Sequence, residues 1–101
     1  MKIAIICSPG VDFDIIDQQI ENWMNANDIW LFSVCCGDPD SAGAKWASRR
    51  GAPIIYESFW NADFIFLFDM CIDYEIRNLL SRIKQIGKHG AYFKLECNYV
   101  V

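Results

Sequence analysis

Short apolar runs alternate along the chain with longer segments in which apolar residues recur every three or four positions. The runs predict strands that are buried on both faces, as in a parallel sheet. They cover residues 3–7, 29–36, 53–56, 63–70 and 91–97. Turn-forming residues follow several of them, for example Ser8-Pro9-Gly10 after the first. We therefore expect five strands separated by helical or irregular connections.

Helical spacing is clearest in two segments, and capping residues indicate a third helix. Asp38 is expected to cap that third helix, with Pro39 at its first helical position and its end near Gly51. The apolar stripes of the other two helices are Phe13, Ile16, Ile20, Trp23 and Met24, and then Ile72, Ile76, Leu79, Leu80, Ile83 and Ile86. This alternation predicts one α/β domain over residues 1–101, a Rossmann-like three-layer fold around a five-stranded, mainly parallel sheet.

The connection between the third and fourth strands, residues 57–62, is too short for a helix. In a 3-2-1-4-5 strand order it must cross three strand spacings of about 4.8 Å and also climb one strand length. At about 3.4 Å per residue this is barely possible, so either the segment is taut or the order differs. We expect reduced helix cover on one face, with Phe59 and Trp60 over apolar surface. Such a face predicts a homodimer buried through aromatic residues.

Composition excludes several classes of function. A net charge of −4 without a basic stripe argues against a nucleic-acid partner. Five cysteines without Cys-x2-Cys spacing, together with one histidine, provide no zinc-ligand set, and no cofactor is indicated. The apolar N-terminal run is too short for a signal peptide or a membrane span. We therefore expect a cytoplasmic protein with no membrane partner and no bound metal.

Ligands of parallel α/β sheets bind at the carboxyl ends of the strands. Residues 7–14, 36–41, 56–61 and 69–74 are predicted to form that edge. Acidic residues recur in these segments or directly beside them: Asp12, Asp14, Asp38, Asp40, Glu57, Asp69, Asp73 and Glu75. Two interpretations remain open for them. Each carboxylate caps its own helix, or some of them accept ribose hydroxyls, bind Mg²⁺ or act in catalysis.

Cys7-Ser8-Pro9-Gly10 is similar to the phosphocysteine loop of sugar phosphotransferase IIB proteins. The similarity is local, because those proteins have one strand–helix unit fewer before the strand that would match residues 63–70. At the end of an apolar run, Cys7 is expected to pack as a small hydrophobic residue.

The order of elements and the stretch 40–53 resemble the YspA-like branch of the SLOG superfamily, small Rossmann-like nucleotide-binding domains. That branch has a glycine-rich loop, then Gly-Ala-Asp, a helix with Trp-Ala, and Gly-x-Pro before the third strand. Asp40, Trp46-Ala47 and Gly51-Ala52-Pro53 match these motifs. The first loop here keeps only Gly37, and the second loop, residues 70–74, contains no glycine.

The resemblance implies non-catalytic binding of a nucleotide or a nucleotide-derived small molecule, such as an ADP-ribose-like compound or a cyclic nucleotide. Such a domain could sense a signal or sequester it, as a phage-encoded sponge does. The residues expected to bind the ligand are Ser8, Pro9, Gly10, Gly37, Asp38, Asp40, Ser41, Asp69, Cys71 and Asp73.

Two other hypotheses stay open. Asp69 and Glu75 have the Asp-x5-Glu spacing of the related nucleoside deoxyribosyltransferases, which implies cleavage of an N-glycosidic bond with Glu75 as nucleophile. Alternatively, the chain is a degenerate domain that mediates protein contacts. Whether it is an enzyme is therefore undecided at this point.

Overall fold

The computed structural model of the chain describes residues 1–27, 33–70 and 74–95. Within these residues five strands form one parallel sheet in the order β3-β2-β1-β4-β5. The strands are β1 (Lys2–Cys7), β2 (Ser33–Cys35), β3 (Ile54–Ile55), β4 (Phe64–Met70) and β5 (Gly90–Leu95). The predicted five-stranded parallel sheet and the Rossmann-like α/β class are confirmed.

Three helices connect these strands in the described residues: α1 (Phe13–Asn27), α2 (Ala42–Arg50) and α3 (Tyr74–Gln85). The predicted stripe of α3 is confirmed in its centre, where Ile76 and Ile83 are buried. Ile86 does not belong to it, because it follows the end of the helix and is 59% exposed. Ile72 lies outside the described residues. No helix in the described ranges is long and apolar enough to cross a membrane.

Side chains of successive strand residues alternate between two apolar layers, as strand geometry requires. In β1, Ile3 and Ile5 face the layer of α1 and α2, whereas Ala4 faces the layer of α3. The first layer contains Ile16, Ile20, Trp46, Phe66 and Phe68, and the second contains Ala62, Ile65, Leu67, Ile76 and Ile83. The helices therefore divide two to one between the faces, which gives the reduced cover expected for one of them.

The start of α2 differs from the prediction. Ser41, and not Asp38, is its N-cap, and the Ser41 Oγ accepts a hydrogen bond of 3.1 Å from the N–H of Ala44. Pro39 lies in the turn that precedes the helix. The helix then runs so close to β1 that a Cβ on Gly43 would lie 2.9 Å from both the Cβ and the carbonyl oxygen of Ile5. Glycine at position 43 is what permits this approach.

The short connection between β3 and β4 is explained by register. Ile55, the last residue of β3, is level with Cys35, then Ala4, then Ile65, the second residue of β4. The chain thus leaves β3 at the amino-terminal end of the sheet and enters β4 at nearly the same height. It crosses the sheet without climbing, so the 3-2-1-4-5 order is compatible with so short a segment.

This geometry corrects the predicted ligand edge, because residues 56–61 lie at the opposite, amino-terminal edge. Glu57 forms an ion pair of 3.2 Å with the Nζ of Lys2, at the start of β1. A 3-10 turn, Phe59–Asn61, packs Phe59 and Trp60 against the layer of α3. Lys88 Nζ donates a hydrogen bond of 2.6 Å to the carbonyl of Trp60. Glu57 therefore does not join the other acidic residues.

Candidate functional site

Ser8 joins the ends of the two central strands at the carboxyl edge. Its N–H donates a hydrogen bond of 2.9 Å to the carbonyl of Phe68, and its Oγ accepts one of 2.7 Å from the N–H of Met70. The residue is only 5% exposed. Ser8 therefore holds the loop after β1 against the end of β4, while Pro9 and Gly10 remain exposed beside it. Gly10 has φ +92°, a conformation that favours glycine.

The carboxylate of Asp12 caps α1. Its Oδ1 accepts a hydrogen bond of 3.0 Å from the N–H of Ile15. Asp14 lies in the first turn of the helix and is exposed. The capping interpretation of the acidic residues thus holds for Asp12, and its side chain neutralises part of the positive helix terminus.

The loop after β2 is a turn built by Asp38. Its Oδ1 accepts a hydrogen bond of 2.9 Å from the N–H of Asp40, and its carbonyl accepts one of 3.1 Å from the N–H of Ser41. Asp40 is exposed. Gly37 is also exposed, has open space where a Cβ would project, and does not have a left-handed φ. The fold itself therefore does not require glycine at position 37.

An open crevice of about 510 Å³ lies between the first turns of α1 and the facing side of α2. Of the predicted binding residues that the structure describes, Asp40 alone lines it. The full lining is Val11, Asp12, Phe13, Asp14, Ile16, Asp40, Ala42, Lys45, Trp46 and Arg49. Ser8, Pro9, Gly10, Gly37, Asp38 and Ser41 belong to the neighbouring loops of the same sheet edge but do not line the crevice.

The crevice carries charges of both signs. Lys45 and Arg49 are four residues apart on α2 and so lie on one helix face. The carboxylates of Asp12, Asp14 and Asp40 also line the cavity. The guanidinium carbon of Arg49 lies 4.9 Å from the ring centroid of Phe13, an aromatic contact that helps to orient the cation. Sequence reasoning missed Lys45 and Arg49, although their spacing by four on a predicted helix is a detectable signal.

Asp17 on α1 connects this helix to α2 beside the crevice. Its Oδ1 accepts a hydrogen bond of 3.2 Å from Trp46 Nε1 and lies 3.2 Å from Arg50 Nε. Trp46 itself is 1% exposed. One carboxylate of α1 thus binds two side chains of α2 and so links the two helices.

Asp69, a further predicted binding residue, lies near the end of β4. Asp69 is fully buried, and its Oδ2 accepts a hydrogen bond of 2.5 Å from the hydroxyl of Tyr92. This hydrogen bond is the main reason why the pKa of Tyr92 is raised, and burial adds to it. Glu75 is exposed in the first turn of α3. Cys71 and Asp73 lie outside the described residues.

The thiols near the sheet edge are held in the protonated form. Burial raises the pKa of Cys7 to about 12. Burial also raises the pKa of Cys36, partly offset by a hydrogen bond with Ser41. Since the thiolate is the nucleophilic form, Cys7 is poorly suited to accept a phosphoryl group. The packing role expected for Cys7 agrees with its contact with the layer of α1 and α2.

Among residues 1–27, 33–70 and 74–95, no group of three or more His, Cys, Asp or Glu side chains is placed to hold a metal ion. The described part of the chain is therefore a small α/β Rossmann-like domain with a ligand-sized crevice at the carboxyl edge of its sheet. Comparison with protein families, with curated proteins and with solved structures found no match to the chain.

Proposed function

We propose that the chain binds a nucleotide-derived small molecule, without catalysis, in the crevice between α1 and α2. The observation that carries this proposal is the presence of two cations, Lys45 and Arg49, and three carboxylates around one cavity of about 510 Å³. A volume of this size is within the range of about 300–1,000 Å³ that is usual for small-molecule sites.

The charges suit the two halves of a phosphorylated ribose. Lys45 and Arg49 would bind the phosphate, with Arg49 supplying a planar group of donors that fits phosphate oxygens. Asp40 and Asp14 would accept hydrogen bonds from ribose hydroxyls, as carboxylates do in dinucleotide sites. Asp12 already accepts from the backbone of α1, so one of its oxygens remains for a hydroxyl.

The same charges limit the class of nucleotide. Three carboxylates beside two cations would repel the dense negative charge of a triphosphate. A cyclic nucleotide, a nucleoside monophosphate or an ADP-ribose-like compound fits better. A binding protein of this kind would sense or sequester such a signal. The exposed residues Pro9, Gly10 and Gly37 would form the neighbouring rim.

The arrangement does not favour cleavage of an N-glycosidic bond. Asp69 is fully buried and already accepts a hydrogen bond from Tyr92. A carboxylate in this position cannot reach a sugar without a rearrangement of β4 and β5. With Asp69 withdrawn in this way, the predicted pair of Asp69 and Glu75 does not supply the two carboxylates that glycoside chemistry ordinarily uses.

Thermal-shift measurements with cyclic nucleotides, nucleoside monophosphates and ADP-ribose test the proposal. At least one phosphorylated ligand is expected to raise Tm, whereas the corresponding nucleoside without phosphate is expected to raise it less. Lys45→Ala should remove most of the effect. Lys84→Ala, which changes an exposed lysine on α3, should retain it. An unchanged Tm with every ligand would overturn the proposal.

A further inference from the structure

Strand β5 is the last strand at one side of the sheet in the residues that the structure describes. In the described part of the chain it pairs with β4 and with no other strand. Ile65 of β4 is level with Gly90, and its N–H donates to the carbonyl of His89, the residue before Gly90. The backbone groups of His89 therefore point toward β4, and those of Gly90 point away from it. In a parallel ladder the hydrogen-bonding groups of every second residue point the same way. The N–H and C=O groups of Tyr92 and Lys94 therefore point away from β4.

The same strand carries an apolar side-chain row. Ala91, Phe93 and Leu95 are partly buried against the layer of α1 and α2. Phe93 is stacked on Phe68 with ring centroids 5.0 Å apart and an interplanar angle of 19°. Its orientation is thus set by the core, and part of its surface remains exposed.

We propose that two copies of this chain pair through β5, antiparallel, about a two-fold axis that passes beside Phe93. The sheets of the two copies then form one continuous sheet. Tyr92 of each copy lies opposite Lys94 of the other, so that their outward N–H and C=O groups form the new ladder. Phe93 lies opposite Phe93 of the other copy. The two residues form a non-hydrogen-bonded antiparallel pair, in which the side chains are closer than in a hydrogen-bonded pair.

Side-chain chemistry favours this register over one centred on Lys94. Leu95 packs against Ala91 of the other copy, on the same face as the two Phe93 rings. On the opposite face each Lys94 lies beside Tyr92 of the other copy, whose hydroxyl is bonded to Asp69. An ammonium group is favourable beside this aromatic ring and its acidic partner. A register centred on Lys94 would instead place two ammonium groups opposite each other, which is destabilising.

This interface differs from the aromatic one expected from the sequence. Trp60 is packed against the layer of α3, and the guanidinium carbon of Arg82 lies 5.6 Å from its ring centroid. Two of its neighbours, Arg82 and Lys88, are charged. A dimer through β5 leaves the crevice between α1 and α2 open, so the two proposals can fail independently.

Lys94→Pro and Lys94→Ala are matched variants for the test. Proline at position 94 has no N–H, so each copy in the dimer loses one outward donor. The hydrogen bonds to β4 are kept, because the N–H of residue 94 points away from that strand. Alanine removes the charge and keeps that donor. Analytical ultracentrifugation should give twice the mass of one chain for the native protein. The dimer dissociation constant should rise at least about tenfold more in Lys94→Pro than in Lys94→Ala.

Hydrogen exchange on the native protein gives a second readout that does not depend on how a variant folds. The amides of Tyr92 and Lys94 should be protected in the dimer and should exchange faster on dilution. A native protein that stays monomeric at millimolar concentration would overturn the proposal and indicate that another segment covers this edge. An equal dissociation constant in the two variants, with unprotected Tyr92 and Lys94 amides, would place the interface elsewhere.

Discussion

The hydroxyl of Tyr92 donates a hydrogen bond of 2.5 Å to Oδ2 of Asp69, a carboxylate with no exposed surface at the end of β4. The bond connects the two strands on the side of α3. Burial of a carboxylate is unfavourable unless hydrogen bonds replace its water. The pair is therefore a structural requirement of this sheet edge, and it withdraws Asp69 from the solvent.

Tyr92→Phe should accordingly destabilise the fold. The substitution removes one donor from a buried carboxylate, and we expect a loss of about 1–3 kcal/mol in the free energy of unfolding. Urea denaturation measures it. Tyr56→Phe is the matched control, because Tyr56 is 62% exposed and should change stability by less than about 0.5 kcal/mol. Equal effects of the two variants would contradict the structural role of the pair.

Alkaline pH should weaken the fold through Cys7. Burial raises its pKa to about 12 from a usual 9.0. Between these values the native state keeps a proton that the unfolded state loses, so the free energy of unfolding falls as pH rises. The contribution of one such group is at most about 1.4 kcal/mol per pH unit.

Urea denaturation between pH 8 and 10, under reducing conditions, measures this slope in the native protein and in Cys7→Ala. The variant should lose less stability per pH unit above pH 9. Identical slopes would show that Cys7 does not titrate with a raised pKa in the native state.

Gly43 is expected to be intolerant of a side chain. A Cβ there would lie 2.9 Å from the carbonyl oxygen of Ile5, which is backbone and cannot move aside without a shift of β1 or α2. Gly43→Ala should cost about 1–3 kcal/mol, although alanine is the better helix former. Gly37→Ala, in open space, should be nearly neutral. Thermal denaturation compares the two variants, and a stabilised Gly43→Ala would contradict the close packing of α2 on β1.

The identity of the α2 cap can be tested by two alanine substitutions. Ser41→Ala removes the acceptor for the N–H of Ala44 and should destabilise the protein by about 0.5–2 kcal/mol. Asp38→Ala removes only an acceptor within an exposed turn and should have a smaller effect. A larger loss for Asp38→Ala would indicate that the helix begins earlier, as the sequence alone suggested.

The strands and two of the helices could be predicted because their apolar patterns are local. The start of α2 could not, because Asp38-Pro39 and Ser41 both have good capping chemistry. In the structure Ser41 is the cap, and α2 packs on β1 through the close approach of Gly43 to Ile5, a contact between residues distant in sequence. The position of Glu57 at the amino-terminal edge likewise could not be predicted, because it follows from the shortness of β3. In the described residues only Ile54 and Ile55 of this strand pair with β2.

The candidate site was predicted in part. The carboxyl edge and Asp40 could be inferred from the order of elements. The crevice itself depends on how α1 and α2 pack, and this is set by the contacts of Asp17 with Trp46 and Arg50. No local pattern shows that Lys45 and Arg49 face the start of α1. Asp69 was predicted as a site residue from its position at the end of a strand. The sequence does not reveal that its side chain is buried against Tyr92, because this contact is a tertiary property.

The central claim is that a phosphorylated ribose binds between α1 and α2. It is tested most directly by titration of the isotope-labelled protein with a cyclic mononucleotide, followed by amide chemical shifts. The account predicts saturable changes that are largest at Phe13, Asp40, Lys45 and Arg49. The absence of saturable changes, or changes centred on Gly90–Leu95, would contradict it.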